Sequence, residues 1–289
     1  MRESTQKTGV VAIWRAAINL VISEPRVLIP FAVLAGIEVA QLFFLANSPH
    51  FPVNVVMAQP IRRIWGEAFL HYPYIYELLP RMFYYAKMAA GILAGGVTTG
   101  MACLAVLSVA KQKRVDLKDV FGKAMGRYVS LFLLMLLLYG GVHFVMKQPQ
   151  VVLALAFHGK SRLLFLGPKP WFNVILPVCL FLLAVILQSF FVYAVPYVVI
   201  GGRKFLPALG QGVVLFFRNF WRTLILVGVP MVLYIPVTIM RSGMHVLADK
   251  FGPESIIPVL LTGVLVAALV VDVIVTVATT LYFIEATDA

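Results

Sequence analysis

The chain has 289 residues, 61% hydrophobic and 12% charged, with a mean hydropathy of +0.94. Soluble domains carry about 45–50% apolar and about 25% charged residues, so a water-soluble fold is excluded and a membrane protein is expected. The formal charge of +12 would suggest nucleic acid in a soluble chain; here basic residues flank apolar segments and meet anionic lipid headgroups, so no nucleic-acid partner is expected.

From the N-terminus, the first apolar run begins near Val27 and is span-length. A signal-peptide core is shorter and begins earlier, so an uncleaved N-terminus followed by a transmembrane helix is expected. A spanning helix takes about 20 mostly apolar residues, and six stretches qualify: 27-46, 88-110, 129-147, 172-200, 221-240 and 256-284. The fourth and sixth exceed what a bilayer requires and should tilt, kink or protrude, with Pro177 and Pro196 as kink sites in the fourth. The fold class expected is an all-α integral membrane protein, a single polytopic domain over 1-289.

Six spans put both termini on one side. Of the 24 basic residues, the N-terminal segment and the second-to-third and fourth-to-fifth loops hold 14, including the KQKR cluster at 111-114. The positive-inside rule then places both termini in the cytoplasm.

Each segment preceding an odd-numbered span repeats the apolar spacing i, i+3, i+4, i+7, i+8, i+11, one face of an α-helix. The three copies begin at Val10, Leu117 and Phe205, and the i+7 position is small each time, as Ala17, Ala124 and Gly212. The repeating unit is an interfacial amphipathic helix, an elbow and a transmembrane hairpin, in units of about 8-110, 115-200 and 204-284. The elbows SEPR at 23-26 and RNFWR at 218-222 align without gaps. Trp14, Arg15, Arg218, Trp221 and Arg222 are expected at headgroup level, anchoring anionic lipid at the cytoplasmic face.

The stretch PYVVIGGRKFLPALGQGVVLFFRNFWRTLILVGVP at 196-230 ends a span in Pro-Tyr, turns, enters an amphipathic helix through Ala-Leu and leaves by an aromatic-plus-Arg elbow. In this it resembles a group of bacterial six-span proteins that includes the membrane domain attached to some glycerophosphodiester phosphodiesterases. The likeness covers roughly 190-235 well and the rest in layout only. Relatives carry an acidic residue near the turn and a Ser on the helix, where this chain has Gly201, Gly202, Gln211 and Gly212. The resemblance implies the six-span fold and transfers no enzyme activity, since the chain ends at Ala289 just past the sixth span.

Two acids fall inside spans, Glu38 in AGIEVAQ and Asp272 in LVVDVIV. A carboxylate at mid-span costs about 2.5–3.5 kcal/mol on insertion scales, so each needs a partner, a wet cavity or a proton. One reading is a proton- or cation-coupled site drawing on Gln188, Ser189, Thr98, Thr99 and Thr276; the other is a hydrogen-bonded acid that fixes packing between the first and sixth spans. No basic residue inside a span is expected to pair with either.

In GILAGGVTTG, Gly91 and Gly95, then Gly96 and Gly100, recur at four-residue spacing, which suits close helix packing within the bundle or in a homodimer; a hinge is the alternative. The histidines, His50, His71, His143, His158 and His245, are expected in far-side interfacial loops, and none has metal-ligand spacing. Cys103 and Cys179 sit near opposite ends of their spans, which disfavours a disulfide. The loop 47-87, with an amphipathic piece at 61-72 and a tyrosine-rich stretch at 71-85, is expected to cap the bundle or receive a partner, or else to be an interfacial re-entrant segment without a ligand.

There is no P-loop, GxSxG, HExxH or paired-Cys motif, and no cofactor is expected. Three functions stay open: a non-enzymatic protein that organises membrane partners or lipids, a cation- or proton-coupled transporter using the intramembrane carboxylates, and a lipid-modifying enzyme. The patterned cytoplasmic interface favours the first.

Overall fold

The structure, a computed structural model, describes residues 9–157 and 181–287. Pro177, Cys179, His158 and the start of the fourth span lie outside the described residues. The chain is an all-α, multi-pass membrane protein: among the described residues, four helices are long and apolar enough to cross a bilayer, and two further helix pairs qualify if each bent pair is one span.

In chain order, α1 is Val10–Ser23, α2 is Ile29–Ala46 and α3 is Val53–Ile64. Next come α4, Tyr74–Ala110, α5, Leu117–Met125, and α6, Tyr128–Phe157. The described part of the fourth span is α7, Phe181–Val199, followed by α8, Phe205–Arg218, and α9, Phe220–Val232. Two short helices, α10 at Ile235–Ser242 and α11 at Met244–Phe251, precede α12, Pro253–Thr287.

Each patterned segment forms a helix and each elbow bends. Pro25 disfavours helix in the residue before it, and Glu24 accordingly leaves the helical region at φ −132°, ending α1 in a 3₁₀ turn over Pro25–Leu28. The α5 helix starts because Asp116 caps it, accepting from the backbone N–H of Lys118 at 2.9 Å and of Asp119 at 3.5 Å. It then bends 73° into α6. At the third elbow Asn219 departs at φ −129°, and α8 bends 97° into α9.

The inward seam of each interfacial helix is its i+3 and i+7 pair: Ile13 and Ala17, Val120 and Ala124, Ala208 and Gly212 are all buried. The i+8 positions Ile18 and Met125 are instead exposed. Gly212 is glycine because a Cβ there would lie 3.0 Å from the backbone nitrogen of Ala194. The first and last described helices share one core, in which Ile13, Val115, Phe216 and Phe283 meet. Arg26 Nη1 also reaches across to the Val115 carbonyl at 3.4 Å. We call this the termini end.

The far end departs from expectation. The amphipathic helix there is α3, which ends near where the sequence pattern starts one: Trp65 caps it and Gly66, at φ +101°, takes a conformation side chains rarely adopt. Residues 74–87 are helix, not loop, and run without interruption into the second span. The fifth span stops at Val232, beyond Pro230, and resumes as α10 after a break at 233–234. His143 is on α6, not in a loop. The α7 helix breaks at 192–193, where Pro196 has no N–H to give the carbonyl one turn back.

Among the described residues, two spans carry a π turn, Gly91–Gly95 in α4 and Ala267–Val271 in α12, the second ending directly at Asp272. Such single π turns widen a helix locally and concentrate at functional sites.

Candidate functional site

Five spans, α2, α4, α6, α7 and α12, line a partly open cavity of about 120 Å³. That volume holds several waters or a small cation. Its polar lining is Asp272, Thr276, Thr279 and Thr280 from α12, Thr99 and Cys103 from α4, Tyr139 from α6 and Gln188 from α7; its apolar walls include Phe31, Leu34 and Phe191. Asp272 and Tyr139 keep accessible surface although they lie deep among the helices, because that surface faces the cavity.

The expected polar site is thus split. Asp272, Gln188, Thr276 and Thr99 come together at the cavity. Thr98 and Ser189 turn to their own helices, donating to the Gly95 carbonyl at 3.0 Å and the Val185 carbonyl at 2.7 Å. Glu38 does not line the cavity.

Contrary to the sequence expectation, Glu38 has a basic partner inside a span. Lys87 Nζ stands 3.0 Å from Glu38 Oε2, with the lysine side chain 28% and the carboxylate 3% exposed. The contact is a close ion pair between the two charged groups. Lys87 belongs to the transmembrane helix α4, and Glu38 sits midway along α2. Lys87 and Glu38 are also the charges that act on Asp272, the first attracting and the second repelling it.

Two further groups, Lys87 and Tyr139, complete the polar centre and do not stand out in the sequence. The ring of Tyr139 lies over Gly91, where a Cβ would overlap it, and its hydroxyl feels the charges of both Asp272 and Glu38. One turn further along α6, His143 Nδ1 is 3.0 Å from the Tyr84 hydroxyl of α4. The available signals are local: LLLYGG at 136-141 faces the glycine run of α4, and YYAK at 84-87 continues a helical pattern.

The glycine run packs within the bundle on three of its four members. Gly91 meets Tyr139, Gly96 meets Leu131 and Met135, and Gly100 meets Val199 and Leu131. A Cβ at Gly95 would meet nothing within 4 Å, and this glycine borders the cavity. Cys103 is buried and accepts from the Thr280 hydroxyl at 3.3 Å.

At the termini end, Trp221 is 73% exposed and Phe217, Arg15 and Arg218 are also exposed. Arg222 is half-buried and engages the Tyr282 hydroxyl. Trp14 packs on the core of that end, its indole nitrogen enclosed without a hydrogen-bond partner. No group of three or more His, Cys, Asp or Glu suited to a metal occurs among the described residues.

Comparison with protein-family models, with curated proteins and with solved structures gives no match.

Proposed function

We propose that the chain is a cation- or proton-coupled membrane transporter whose ion-binding carboxylate is Asp272. The observation that carries this reading is the cavity: a carboxylate, threonine hydroxyls, an amide and a phenol converge on a partly open space among five spans. An ionisable group inside a membrane span is costly and marks an ion or proton pathway when it faces a cavity. Asp272 follows directly on a π turn, a local loosening that lets a helix reshape around a bound ion. Glu38 and Lys87 neutralise each other beside it, so Asp272 is the acid left to take up a cation or a proton.

We place the protein in a bacterial inner membrane with both termini in the cytoplasm, supported by the basic residues gathered at the termini end and by the resemblance over 190-235. Exposed Trp221 and Arg218 at an elbow fit anionic lipid headgroups there. That same feature favours a second reading, in which the three interfacial helices organise lipids or partner proteins and the central polar groups serve packing.

Purified protein in proteoliposomes, under an imposed potassium diffusion potential, separates the two. Proton- and sodium-sensitive dyes in the lumen should report an ion flux in wild type that Asp272→Asn abolishes. Absence of flux for either ion in wild type, or an unchanged flux in the variant, sinks the transport reading.

A further inference from the structure

We infer that the ion taken up at Asp272 is a proton and that it arrives from the far end of the bundle through Tyr139. This rests on the reading of Asp272 as the ion site and names both the ion and its route.

Three helix faces meet in one register. On α4, Tyr84, Lys87 and Gly91 share a face at three- and four-residue steps, and on α6 Tyr139 and His143 lie one turn apart. The Tyr84 hydroxyl meets His143 Nδ1 at 3.0 Å, Lys87 meets Glu38 at 3.0 Å, and Tyr139 fills the space over Gly91. From the far end inward, titratable groups therefore follow in sequence: the Tyr84–His143 pair, the Glu38–Lys87 pair, Tyr139, then Asp272. Gln41, one turn outward of Glu38 on α2, adds an enclosed amide oxygen without a hydrogen-bond partner.

Tyr139 has the chemistry for the last step. A phenol both donates and accepts a hydrogen bond. A proton arriving on a lone pair of its oxygen is matched by release of its own O–H proton toward the Asp272 carboxylate, so the phenol ends neutral and Asp272 ends protonated. The cavity that both groups line has room for water between them. Sodium would be served differently, by several oxygens around the ion, and would have no use for a line of titratable side chains leading outward.

The other side of the cavity is unlike this. Toward the termini end, Thr279 and Thr280 are bonded to the Val275 carbonyl and to Cys103, and the core beneath is apolar, with Val27, Phe31, Val106 and Val277. The tyrosines there include Tyr193, held by Thr223 at 2.9 Å, Tyr282, engaged by Arg222, and Tyr197, whose ring packs edge-on against Phe283.

Charge movements after rapid pH or sodium jumps, recorded from full-length protein in proteoliposomes on a solid-supported membrane, test the route. Tyr139→Phe keeps the ring over Gly91 and removes only the hydroxyl; it should slow the pH-jump response roughly tenfold or more, while Tyr193→Phe at the other end leaves it at the wild-type rate. A wild-type rate in Tyr139→Phe overturns the route. A response to sodium jumps but not to pH overturns the proton while the Asp272 reading stands, and no response to any ion in wild type fails that reading and this inference together. Melting temperatures of both variants establish that each is folded.

Discussion

Lys87 and Glu38 join the second span to the first at the middle of the bundle, Nζ to Oε2 at 3.0 Å. Removing one member of a buried pair leaves an uncompensated charge, at a cost of about 3–5 kcal/mol, whereas removing both together costs far less. Lys87→Met should therefore destabilise by about 3 kcal/mol, at the low end because the lysine is partly exposed. The double variant with Glu38→Gln should recover most of that loss. Thermal unfolding in detergent supplies the cycle, and strictly additive effects would show that the two charges do not depend on each other.

Gly210 and Gly212 lie on the same helix, and only the second faces a neighbour's backbone. A Cβ at Gly212 would crowd Ala194, while one at Gly210 meets nothing within 4 Å. Gly212→Ala is expected to cost about 1–3 kcal/mol through overpacking, and Gly210→Ala to be neutral or to stabilise by up to about 1 kcal/mol through helix propensity. Melting temperatures of the pair check this, and equal effects would argue against the close approach of α8 to α7.

Asp116 should matter out of proportion to its exposed position. It accepts from two backbone N–H groups at the start of α5, and Asp116→Ala removes that cap at a cost of about 0.5–2 kcal/mol. Asp116→Asn should retain most of the stability, because the amide oxygen still accepts. Hydrogen exchange of the first turn of α5 reads the difference: faster exchange in the Ala variant alone is the expected result.

Cysteine labelling in a background of Cys103→Ser and Cys179→Ser tests the sidedness. Lys113→Cys and Arg203→Cys should react with an impermeant maleimide only from the cytoplasmic side, and His71→Cys and Glu254→Cys only from the other. All four positions are exposed. The reverse pattern would invert the topology and put the arginine elbows outside.

Much of the fold is legible in the sequence because its signals are short-range. The interfacial helices follow from a 3.6-residue apolar period, and their ends from Pro25 and Asn219, which act on their own backbone. The small i+7 positions Ala17, Ala124 and Gly212 mark the buried seam for the same reason. The i+8 positions Ile18 and Met125 point outward despite their apolar character, because a side chain facing lipid and one facing a core look alike in a hydropathy pattern.

The polar centre is only half legible, since it depends on pairing between distant segments. Asp272, Gln188, Thr99 and Thr276 stand out as polar groups inside spans, and the cavity gathers them. Lys87 reads as a loop residue because tyrosines and an arginine dilute the apolar signal before it, although the backbone stays helical from Tyr74 onward. Tyr139 resembles an interface aromatic; what makes it central is Gly91, a residue on another helix that leaves the space its ring fills.

Transport through this bundle requires Asp272 to be a carboxyl group that a small species can reach at its centre. Dicyclohexylcarbodiimide, an apolar reagent that modifies protonated carboxyl groups within membranes, addresses this without knowledge of the substrate. Peptide mass spectrometry after treatment at mildly acidic pH should find the adduct on Asp272, with Glu38 spared behind Lys87 and the labelling lost as pH rises. Absence of an Asp272 adduct at every pH, with Glu38 modified instead, would contradict the assignment of the site.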